Sequence, residues 1–385
     1  MRIGFDAKRA FQNSTGLGHY SRTLVTSLAQ YFPDNEYFLF APKITSRFDT
    51  HAYNNIKRIA PRQFPYTLMR SAWRSSGVKK DLLKNNIDIY HGLSHEIPVG
   101  IQQTGIRSVV TIHDLIFERF PHQYNKLDIL IYRKKFKYAC KHADAVIAIS
   151  EQTRHDLVEF YKVPAEKITV CYQSCDPIFA ERISAEEKQK IRQLYNLPPR
   201  FFLNVGSIIE RKNLLTICKA MNHLKNKLPI PLVVIGGGGK YKMQVKEYII
   251  SNGLEKQIIF LSENEETKQN EGFKTSAHFP AIYQMAEAMI YPSTFEGFGI
   301  PILEALFSRV PVITSNVSCM PEAGGDAALY IDPYDYESLS LKMETIANDK
   351  TMAANITEKG WVHAQKFSQQ KTAAHVMNVY KKLLP

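Results

Sequence analysis

Short apolar segments alternate with amphipathic helical segments along most of the 385-residue chain, and this alternation restricts the possible folds more than any other feature. The predicted strands of the first half are RIGFDA, YFLFAP, DIYHG, SVVTIHD and AVIAIS, and those of the second half are FFLNVGS, PLVVIGG, IIFLS, AMIYPS and VPVITS. Between them lie helical patterns such as YSRTLVTSLAQYF, in which Leu24, Leu28 and Phe32 share one face. Apolar strands that alternate with helices are typical of parallel sheets covered by helices on both sides.

A polar, charged segment separates the two series of strands. Residues 175–200, CDPIFAERISAEEKQKIRQLYNLPPR, carry proline near both ends and predict a domain boundary near residue 185. We therefore predict two Rossmann-like, doubly wound α/β domains, residues 1–185 and 186–365, which face each other across a cleft. Such folds bind ligands at the carboxyl ends of their strands, so this cleft is the predicted ligand site.

Two segments of the second half do not fit the alternation of strands and helices. A C-terminal helix is predicted at about residues 366–385, and its apolar stripe must be covered, with the domain of residues 1–185 as one candidate. The stripe consists of Ala373, Val376, Val379, Tyr380 and Leu383. Residues 262–280 are polar and interrupted by Gly272 and Pro280, and they are predicted to form a long loop.

Composition narrows the class of protein. The net charge is +12, and the excess lies mainly in residues 1–185, as expected for a protein that meets nucleotides, an anionic membrane surface or nucleic acid. No apolar run approaches the ~20 residues of a membrane span, and the N-terminus lacks a signal-peptide pattern, so we expect a cytoplasmic protein. The five cysteines show no metal-binding spacing, and no D-x-D triplet occurs. We therefore expect free, mostly buried thiols and no required metal.

The segment IYPSTFEGFGIPILEALFSRVPVITS, residues 290–315, places two glutamates around a glycine-rich turn. A strand ends in AMIYPS, the turn TFEGFG follows, and a proline favours the start of a helix. The amides of Gly299 and Ile300 are then unpaired donors at the end of a strand, which is a ready site for phosphate. Glu304, about one turn into the helix, is placed to hold a ribose, and Glu296 to face a second sugar. Considered singly, Glu296 also fits a helix-dipole partner and Glu304 a solvated surface charge.

The motif STFEGFGIPILEA resembles the E-x7-E signature of the retaining glycosyltransferases of family 4, which have the GT-B fold, and the resemblance extends over nearly the whole chain. It implies that Glu296 lies against the donor sugar and takes part in catalysis, and that Glu304 binds the nucleotide ribose. The backbone amides between them are expected to meet sugar hydroxyls and phosphate. These donor-binding positions are Gly297, Phe298, Gly299 and Ile300.

The segment NVGSIIERKNL follows a predicted strand and brings two cations together. Arg211 and Lys212 can neutralise a pyrophosphate, although adjacent basic residues are also common on solvated surfaces. The family resemblance implies that both grip the donor diphosphate and help the leaving group to depart. Gly206 and Ser207 match the turn that precedes them.

Three other motifs follow predicted strands. Gly16 and Gly18 in NSTGLGHYSRTL lack the third glycine of a dinucleotide fingerprint, because Ser21 takes its place. By resemblance this turn lies over the cleft near the donor, although it would also serve simply to open a helix. His113, at the end of SVVTIHD, is expected by resemblance to contact the donor sugar near the reacting carbon without acting as a general base; a lone histidine is more often structural. The four glycines at 236–239 fit a wall of the nucleotide pocket.

Two basic amphipathic stretches, LMRSAWRSSGVKKDLLK and LDILIYRKKFKYACKH, fit either contact with anionic lipid or solvated helix faces. The residues concerned are Arg70, Arg74, Lys79, Lys80 and Lys84 beside Leu68, Met69 and Trp73 in the first stretch, and Arg133, Lys134, Lys135 and Lys137 in the second.

These features together predict the transfer of a sugar from a nucleotide-diphosphate donor to a glycan or lipid-linked acceptor without a required metal. The family resemblance further implies that the transfer retains the anomeric configuration and belongs to polysaccharide or lipopolysaccharide synthesis. FDAKRAFQNSTGLGHYSRTL and TIHDLIFERFP resemble mannosyltransferase-like members, which implies GDP-mannose as donor. A GT-B-fold epimerase or phosphorylase would use the same cleft and is one alternative. A non-enzymatic nucleic-acid-binding protein is another, but it would show basic residues interleaved with aromatics on one surface, whereas these motifs cluster at strand ends. The expected partners are therefore donor and acceptor, with peripheral contact to the inner face of an anionic membrane and without nucleic acid.

Overall fold

The structure is a computed structural model that describes residues 1–62, 64, 66 and 69–384. The chain folds into two compact units. Unit 1 comprises Met1–Cys175 and Phe367–Pro385, and unit 2 comprises Asp176–Lys366. All five cysteines are buried free thiols, as predicted.

Unit 1 contains a parallel sheet of seven strands in the order β3-β2-β1-β4-β5-β6-β7. The strands are β1 (Arg2–Asp6), β2 (Glu36–Phe40), β3 (Ile56–Ile59), β4 (Ile89–Gly92), β5 (Arg107–Ile112), β6 (Ala145–Ala148) and β7 (Ile168–Val170). The helices are α1 (Lys8–Gln12), α2 (Gly16–Tyr31), α3 (Arg70–Ala72), α4 (Val78–Lys84), α5 (Ile116–Arg119), α6 (Lys126–His142) and α7 (Glu151–Tyr161). Neighbouring residues of β5 bury opposite faces of the sheet: Val109 packs in one apolar cluster with Leu24 of α2, and Val110 packs in another with Leu82 of α4.

Unit 2 contains a second parallel sheet, of six strands in the order β10-β9-β8-β11-β12-β13. The strands are β8 (Phe202–Val205), β9 (Leu232–Ile235), β10 (Ile258–Phe260), β11 (Ala288–Tyr291), β12 (Val312–Ser315) and β13 (Leu329–Ile331). The helices are α8 (Ala185–Leu194), α9 (Leu214–Leu224), α10 (Lys240–Ser251), α11 (Glu265–Gln269), α12 (Glu271–Lys274), α13 (Phe279–Met285), α14 (Ile300–Phe307), α15 (Met320–Gly324), α16 (Tyr336–Asn348) and α17 (Lys350–Ala364). Both units thus have the predicted Rossmann-like α/β architecture.

The C-terminal helix α18 (Gln369–Leu383) belongs to unit 1, where it packs against α2. Its apolar stripe lies in the same cluster as Leu24 and Leu28, so the domain of the N-terminal half is the one that covers it. Tyr380 also brings its hydroxyl to 2.6 Å from His91 Nδ1 inside this core.

The structure places the boundary between the units at Asp176 and not near residue 185. The reason is Phe179, which is buried and meets the ring of Tyr283 edge-on at 5.3 Å. The hydroxyl of Ser308 also donates a hydrogen bond to the Phe179 carbonyl, at 3.3 Å. Both partners lie in unit 2, so the polar segment begins as part of that unit before α8 starts.

The prediction of a long loop over residues 262–280 is wrong. This segment contains α11, α12 and the start of α13. Asn264 Oδ1 accepts a hydrogen bond from the Thr267 amide, and Asn270 Oδ1 accepts one from the Phe273 amide. Each asparagine therefore caps a short helix, which allows a polar segment to be helical.

Two residues of the basic stretch around Trp73 are occupied by contacts inside unit 1 and do not face a lipid surface, whereas Arg70, Lys80 and Lys84 of the same stretch are exposed. Trp73 is 1% exposed and donates its Nε1 hydrogen to Asp81, while the Arg74 side chain is held between Asp6 and Glu96. Leu68 lies outside the described residues. Among the residues that are described, no helix has the length and apolar character needed to span a membrane.

Candidate active site

The charged site residues that the sequence predicted in unit 2 lie close together, at the point where the strand order of its sheet reverses. β8 and β11 are neighbours in the sheet although they are distant in sequence. The turn after β8 leads into a short 3₁₀ helix, Glu210–Lys212, and the loop after β11 carries Glu296. Two hydrogen bonds join these loops: the Thr294 amide donates to the Arg211 carbonyl at 2.8 Å, and the Arg211 guanidinium donates to the Phe295 carbonyl. Such reversal points are where open α/β sheets bind ligands.

Glu296 is the centre of a buried polar cluster. One carboxylate oxygen, Oε2, lies 2.6 Å from Arg211 Nη1, and the other, Oε1, lies 3.1 Å from Lys212 Nζ. Oε1 also accepts hydrogen bonds from the hydroxyls of Tyr291, at 2.9 Å, and Ser293, at 3.0 Å. Both oxygens are therefore engaged by donors, which fixes the orientation of the carboxylate.

The pKa values in this cluster favour the charged forms. Burial by itself would raise the pKa of Glu296, but the charges of Lys212 and Arg211 outweigh it and hold that pKa at about 2. Burial would lower the pKa of Lys212, yet Glu296 and Tyr291 keep it above its usual value. Glu296 is thus a permanent carboxylate near neutral pH, suited to accepting hydrogen bonds and unsuited to donating a proton.

Tyr291 links the two charges directly. Its side chain is 1% exposed, and its hydroxyl accepts a hydrogen bond from Lys212 Nζ at 2.6 Å while donating to Glu296. The same ammonium group lies 4.8 Å from the centre of the Tyr291 ring. Lys212 also lies close to Gly206, where a Cβ would come within 3.2 Å of the lysine side chain, and the φ of +145° at this position is one that other residues rarely adopt. Ser207, the next residue of this turn, is exposed.

The loop between Glu296 and α14 is held in place by side chains from the segment after β12. Ser318 Oγ accepts a hydrogen bond from the Glu296 amide, and Cys319 Sγ donates to the carbonyls of Glu296 and Phe298. Gly299 adopts φ +107° and caps α14, a conformation that disfavours any side chain. No intramolecular partner of the Gly299 and Ile300 amides occurs within the described residues, so both can bind an anion.

Glu304 lies in α14 and has a different environment from Glu296. Its Oε2 accepts a hydrogen bond from the Tyr283 hydroxyl at 2.7 Å. Burial raises the pKa of Glu304 to about 7, although the Tyr283 hydrogen bond opposes this shift, and the charge of Asp176 adds to it. This carboxyl is therefore close to half-ionised at neutral pH and can both accept and donate hydrogen bonds.

The predicted residues of unit 1 lie at the ends of its own elements. Gly16 is the first residue of α2, with Gly18 in its first turn. His113 follows β5 and is 5% exposed; its Nε2 donates to the Leu93 carbonyl at 2.9 Å, and its Nδ1 is 3.1 Å from the side-chain amide of Gln173. Burial lowers the pKa of His113 to about 4. The ring is therefore neutral, with both nitrogens engaged.

Several residues of the unit 2 site were not identified from the sequence. Tyr291 and Ser293 belong to the quoted motif, and their position at the end of an apolar strand was the available signal. Tyr283, Ser318 and Cys319 come from other segments, and nothing in their local sequence indicated a contact with this loop.

A histidine and two carboxylates on α7 form a possible cation site. Ligand atoms of His155, Asp156 and Glu159 lie within 4.8 Å of one another. However, Arg119 approaches Asp156 to 2.5 Å and Glu159 to 2.9 Å. The arginine already neutralises these carboxylates, which makes them poor ligands for a metal ion.

Comparisons with known proteins agree with this arrangement. Residues 185–361 match the family model "Glycosyl transferases group 1", and residues 15–178 match "Glycosyltransferase Family 4". The chain is 28% identical over 404 residues to the O-antigen chain mannosyltransferase B of Escherichia coli, with all of both chains covered. In structure it resembles a glycosyltransferase from Rickettsia africae (TM-score 0.74, 18% identity, 99% of this chain and 98% of the other). It also resembles WaaG, a glycosyltransferase involved in lipopolysaccharide biosynthesis (TM-score 0.69, 15% identity, 98% and 99%). With two parallel-sheet units and a match to glycosyltransferase models in both, the chain is a glycosyltransferase with the GT-B fold.

Proposed function

We propose that this chain is a retaining glycosyltransferase of family 4 that transfers mannose from GDP-mannose to a hydroxyl of a growing polysaccharide or lipopolysaccharide glycan. The observation that carries the proposal is the buried cluster of Glu296, Arg211 and Lys212 beside the start of α14. Mannose and the glycan acceptor are supported by the similarity to an O-antigen mannosyltransferase and to a protein of lipopolysaccharide biosynthesis.

The donor diphosphate would bind to Arg211, Lys212 and the amides at the start of α14. In the reaction, the bond between the anomeric carbon and the diphosphate oxygen breaks while a bond to the acceptor oxygen forms. Negative charge grows on the departing diphosphate, and preorganised cations and amides stabilise that charge. The same diphosphate accepts the proton of the acceptor hydroxyl. Gly206 and Ser207 would form the turn beside it.

Glu296 is best suited to hold the transferred sugar by accepting hydrogen bonds from its hydroxyls, because it stays ionised. A carboxylate with both oxygens engaged is a poor nucleophile, which supports a front-face, ion-pair-like route with retention instead of a covalent intermediate. Glu304 would bind the ribose of the nucleotide, and the amides of Gly297 and Phe298 would contact the sugar or phosphate.

The residues of unit 1 would contribute contacts and no acid–base chemistry. Gly16 and Gly18 would let the start of α2 approach the donor closely, whereas His113 would contact the sugar near the reacting carbon. Because the His113 ring is neutral and both nitrogens are engaged, its contribution would be positional.

We further infer a cytoplasmic protein that works without a metal ion or nucleic acid and meets the inner face of the membrane through exposed basic residues of unit 1. The exposed residues Lys134 and Lys137 of α6 support the membrane contact. This part of the proposal is tested by co-sedimentation with anionic and neutral vesicles.

The donor is tested by thermal-shift measurements with GDP, UDP, ADP and their sugar forms, with and without magnesium, followed by product analysis with a glycan acceptor. We expect the largest shift with GDP-mannose, no dependence on magnesium, and a product with the anomeric configuration of the donor by NMR. Glu296→Gln and Lys212→Met should abolish transfer, whereas Lys246→Met, in the same unit, should not. A thermal shift with random oligonucleotides, without one for any nucleotide, would favour the nucleic-acid-binding alternative. A product with inverted anomeric configuration would contradict retention.

A further inference from the structure

The segment after β4 contains a histidine with an unusual backbone conformation. β4 ends at Gly92, and His95 follows three residues later with φ +65°. This left-handed conformation is uncommon for a residue that carries a Cβ, although histidine adopts it more often than most. Residues of this kind persist where surrounding contacts hold them, and they are concentrated at functional sites. His95 has no role in the transfer proposed above, so its contacts were followed outward.

The backbone of His95 extends the pairing of β4 with β5. The last pair of the two strands is Gly92 with Val110. Beyond it, the His95 amide donates a hydrogen bond to the Thr111 carbonyl at 3.0 Å. In a regular parallel ladder, the same residue would accept the next hydrogen bond, from the amide of His113, at its own carbonyl.

The imidazole of His95 takes the place of that carbonyl. The His113 amide donates to His95 Nδ1 at 3.3 Å. Burial lowers the pKa of His95 well below its usual value, so the ring is neutral and Nδ1 can accept a hydrogen bond. One residue therefore holds the end of β5 twice, through its backbone at Thr111 and through its side chain at His113.

The orientation of the His95 ring is fixed by aromatic contacts. It stacks on the ring of Phe136 in α6, with centres 4.3 Å apart and planes 10° apart. Phe136 is itself buried in a cluster with Phe117 and Ile129. The His95 ring also meets the ring of His113 edge-on, at 5.1 Å and 72°. A side chain locked by packing in this way can hold a neighbouring residue in a defined position.

The other hydrogen bonds of His113 involve its ring and its carbonyl. The ring is held by the Leu93 carbonyl and the Gln173 amide, and the Thr153 hydroxyl donates to the His113 carbonyl at 3.1 Å. His95 adds the contact to the backbone amide. Because the amide belongs to the main chain, a shift at this point would displace the whole residue, including the ring.

We propose that His95 is a positioning residue for the sugar transfer: its Nδ1 fixes the backbone of His113 and thereby sets where the His113 ring meets the donor sugar. The kinetic part of this inference rests on the proposed function, in which His113 contacts the sugar near the reacting carbon. A misplaced contact at that carbon mainly affects the transition state. The diphosphate and ribose contacts of unit 2 are not altered, so kcat should change more than the KM of the donor.

Two substitutions of His95 isolate the acceptor atom. Asparagine carries Oδ1 at the position of histidine Nδ1, and both asparagine and glycine tolerate a left-handed backbone. His95→Asn and His95→Gly therefore both lack the ring and both fit the local conformation, but only the first keeps an acceptor. Lys162→Gly is the matched control, because Lys162 is an exposed residue of unit 1 with φ +52° at the end of α7. It takes no part in the contacts described above.

The first measurement needs no substrate. Hydrogen exchange of the His113 amide is followed by NMR on the full chain labelled with [15N]histidine, and the signal is identified by its absence in His113→Gln. An amide exchanges when its hydrogen bond opens, so we expect exchange about five- to tenfold faster in His95→Gly. His95→Asn and Lys162→Gly should remain within about twofold of the parent chain. Thermal unfolding of each variant shows whether the fold is intact.

The second measurement is steady-state transfer from GDP-mannose to a mannose-terminated oligosaccharide. We expect kcat to fall about tenfold in His95→Gly while the KM of GDP-mannose stays within about twofold. His95→Asn should recover kcat to within about threefold of the parent, and Lys162→Gly should leave it unchanged. A purely structural role of His95 would not produce this difference between kcat and KM.

The outcomes separate the contact from the reaction. Faster exchange and lower kcat in His95→Gly, both restored in His95→Asn, support the proposal. Unchanged exchange in His95→Gly, faster exchange with unchanged kcat, or equal losses of kcat in His95→Asn and His95→Gly would each overturn it. A parent chain that transfers no mannose would contradict the proposed function, whereas the exchange measurement would still decide whether His95 holds His113.

Discussion

Removing the charge of Glu296 tests whether the buried ion pairs hold the active-site loop of unit 2. The carboxylate lies 2.6 Å from Arg211 Nη1 and 3.1 Å from Lys212 Nζ, and its side chain is only 10% exposed. Glu296→Gln keeps the size of the residue but leaves two buried cations without a counter-charge. Breaking a buried pair in this way typically costs about 3–5 kcal/mol. We expect the free energy of unfolding of unit 2 to fall by about that amount.

The two tryptophans of the chain allow this change to be measured in the correct unit. Trp73 lies in unit 1 and Trp361 in unit 2. In a Trp73→Phe background, urea unfolding followed by Trp361 fluorescence reports on unit 2, and Glu296→Gln is compared with the background chain. Linear extrapolation of the transition gives the difference in free energy of unfolding.

Glu263 provides a matched control in the same unit. Its carboxylate lies 2.6 Å from Lys242 Nζ and 2.7 Å from Lys246 Nζ, but the side chain is 36% exposed. Solvent screens such pairs, so Glu263→Gln should lower the free energy of unfolding by less than about 1 kcal/mol. Equal losses for Glu296→Gln and Glu263→Gln would refute the argument that burial makes the Glu296 cluster structurally important.

Two further predictions concern side chains that contact or follow this loop. Tyr291→Phe removes the hydroxyl that joins Lys212 to Glu296 and should lower kcat/KM about tenfold while circular dichroism is unchanged; unaltered kinetics would show that the hydroxyl does not position these groups. The pKa of Glu304 is about 7 in the folded chain against an ordinary 4.5, so the folded state binds more protons, and stability is lost as pH rises from about 5 to about 7. The free energy of unfolding of Glu304→Gln, measured in urea, should therefore rise by up to about 3 kcal/mol relative to that of the parent between pH 5 and pH 8. A difference between the two chains that does not change with pH would contradict the assignment.

The central strands of both sheets could be predicted from the sequence, whereas three of the four edge strands could not. A central strand such as β9 is buried along its whole length, so its sequence is a continuous apolar run. The edge strand β3 has Lys57 and Arg58 exposed at its centre, and β7 and β13 are only three residues long. Because an edge strand needs neither a continuous apolar run nor great length, local sequence gives little signal for it.

In the candidate site too, some features could be predicted from the sequence and others could not. Glu296 and the Arg211–Lys212 pair were each recognised from local motifs at strand ends, but the sequence did not indicate that they pair with one another. Both interpretations of the basic stretch around Trp73, contact with lipid and a solvated helix face, left this residue at the surface, although it is buried against Asp81. Pairing of this kind depends on which strands become neighbours, and that information is not local.

By itself, the sequence determined the parallel α/β class and the turns that present amides and charges, since both depend on the periodicity of a few consecutive residues. Only the tertiary structure decided that Glu296 is a fixed carboxylate and that Glu304 titrates near neutrality. These two glutamates belong to one short motif, yet their pKa values move in opposite directions. Burial and neighbouring charges set a pKa, and here both come from β8, β11 and α13, which meet only when the chain has folded.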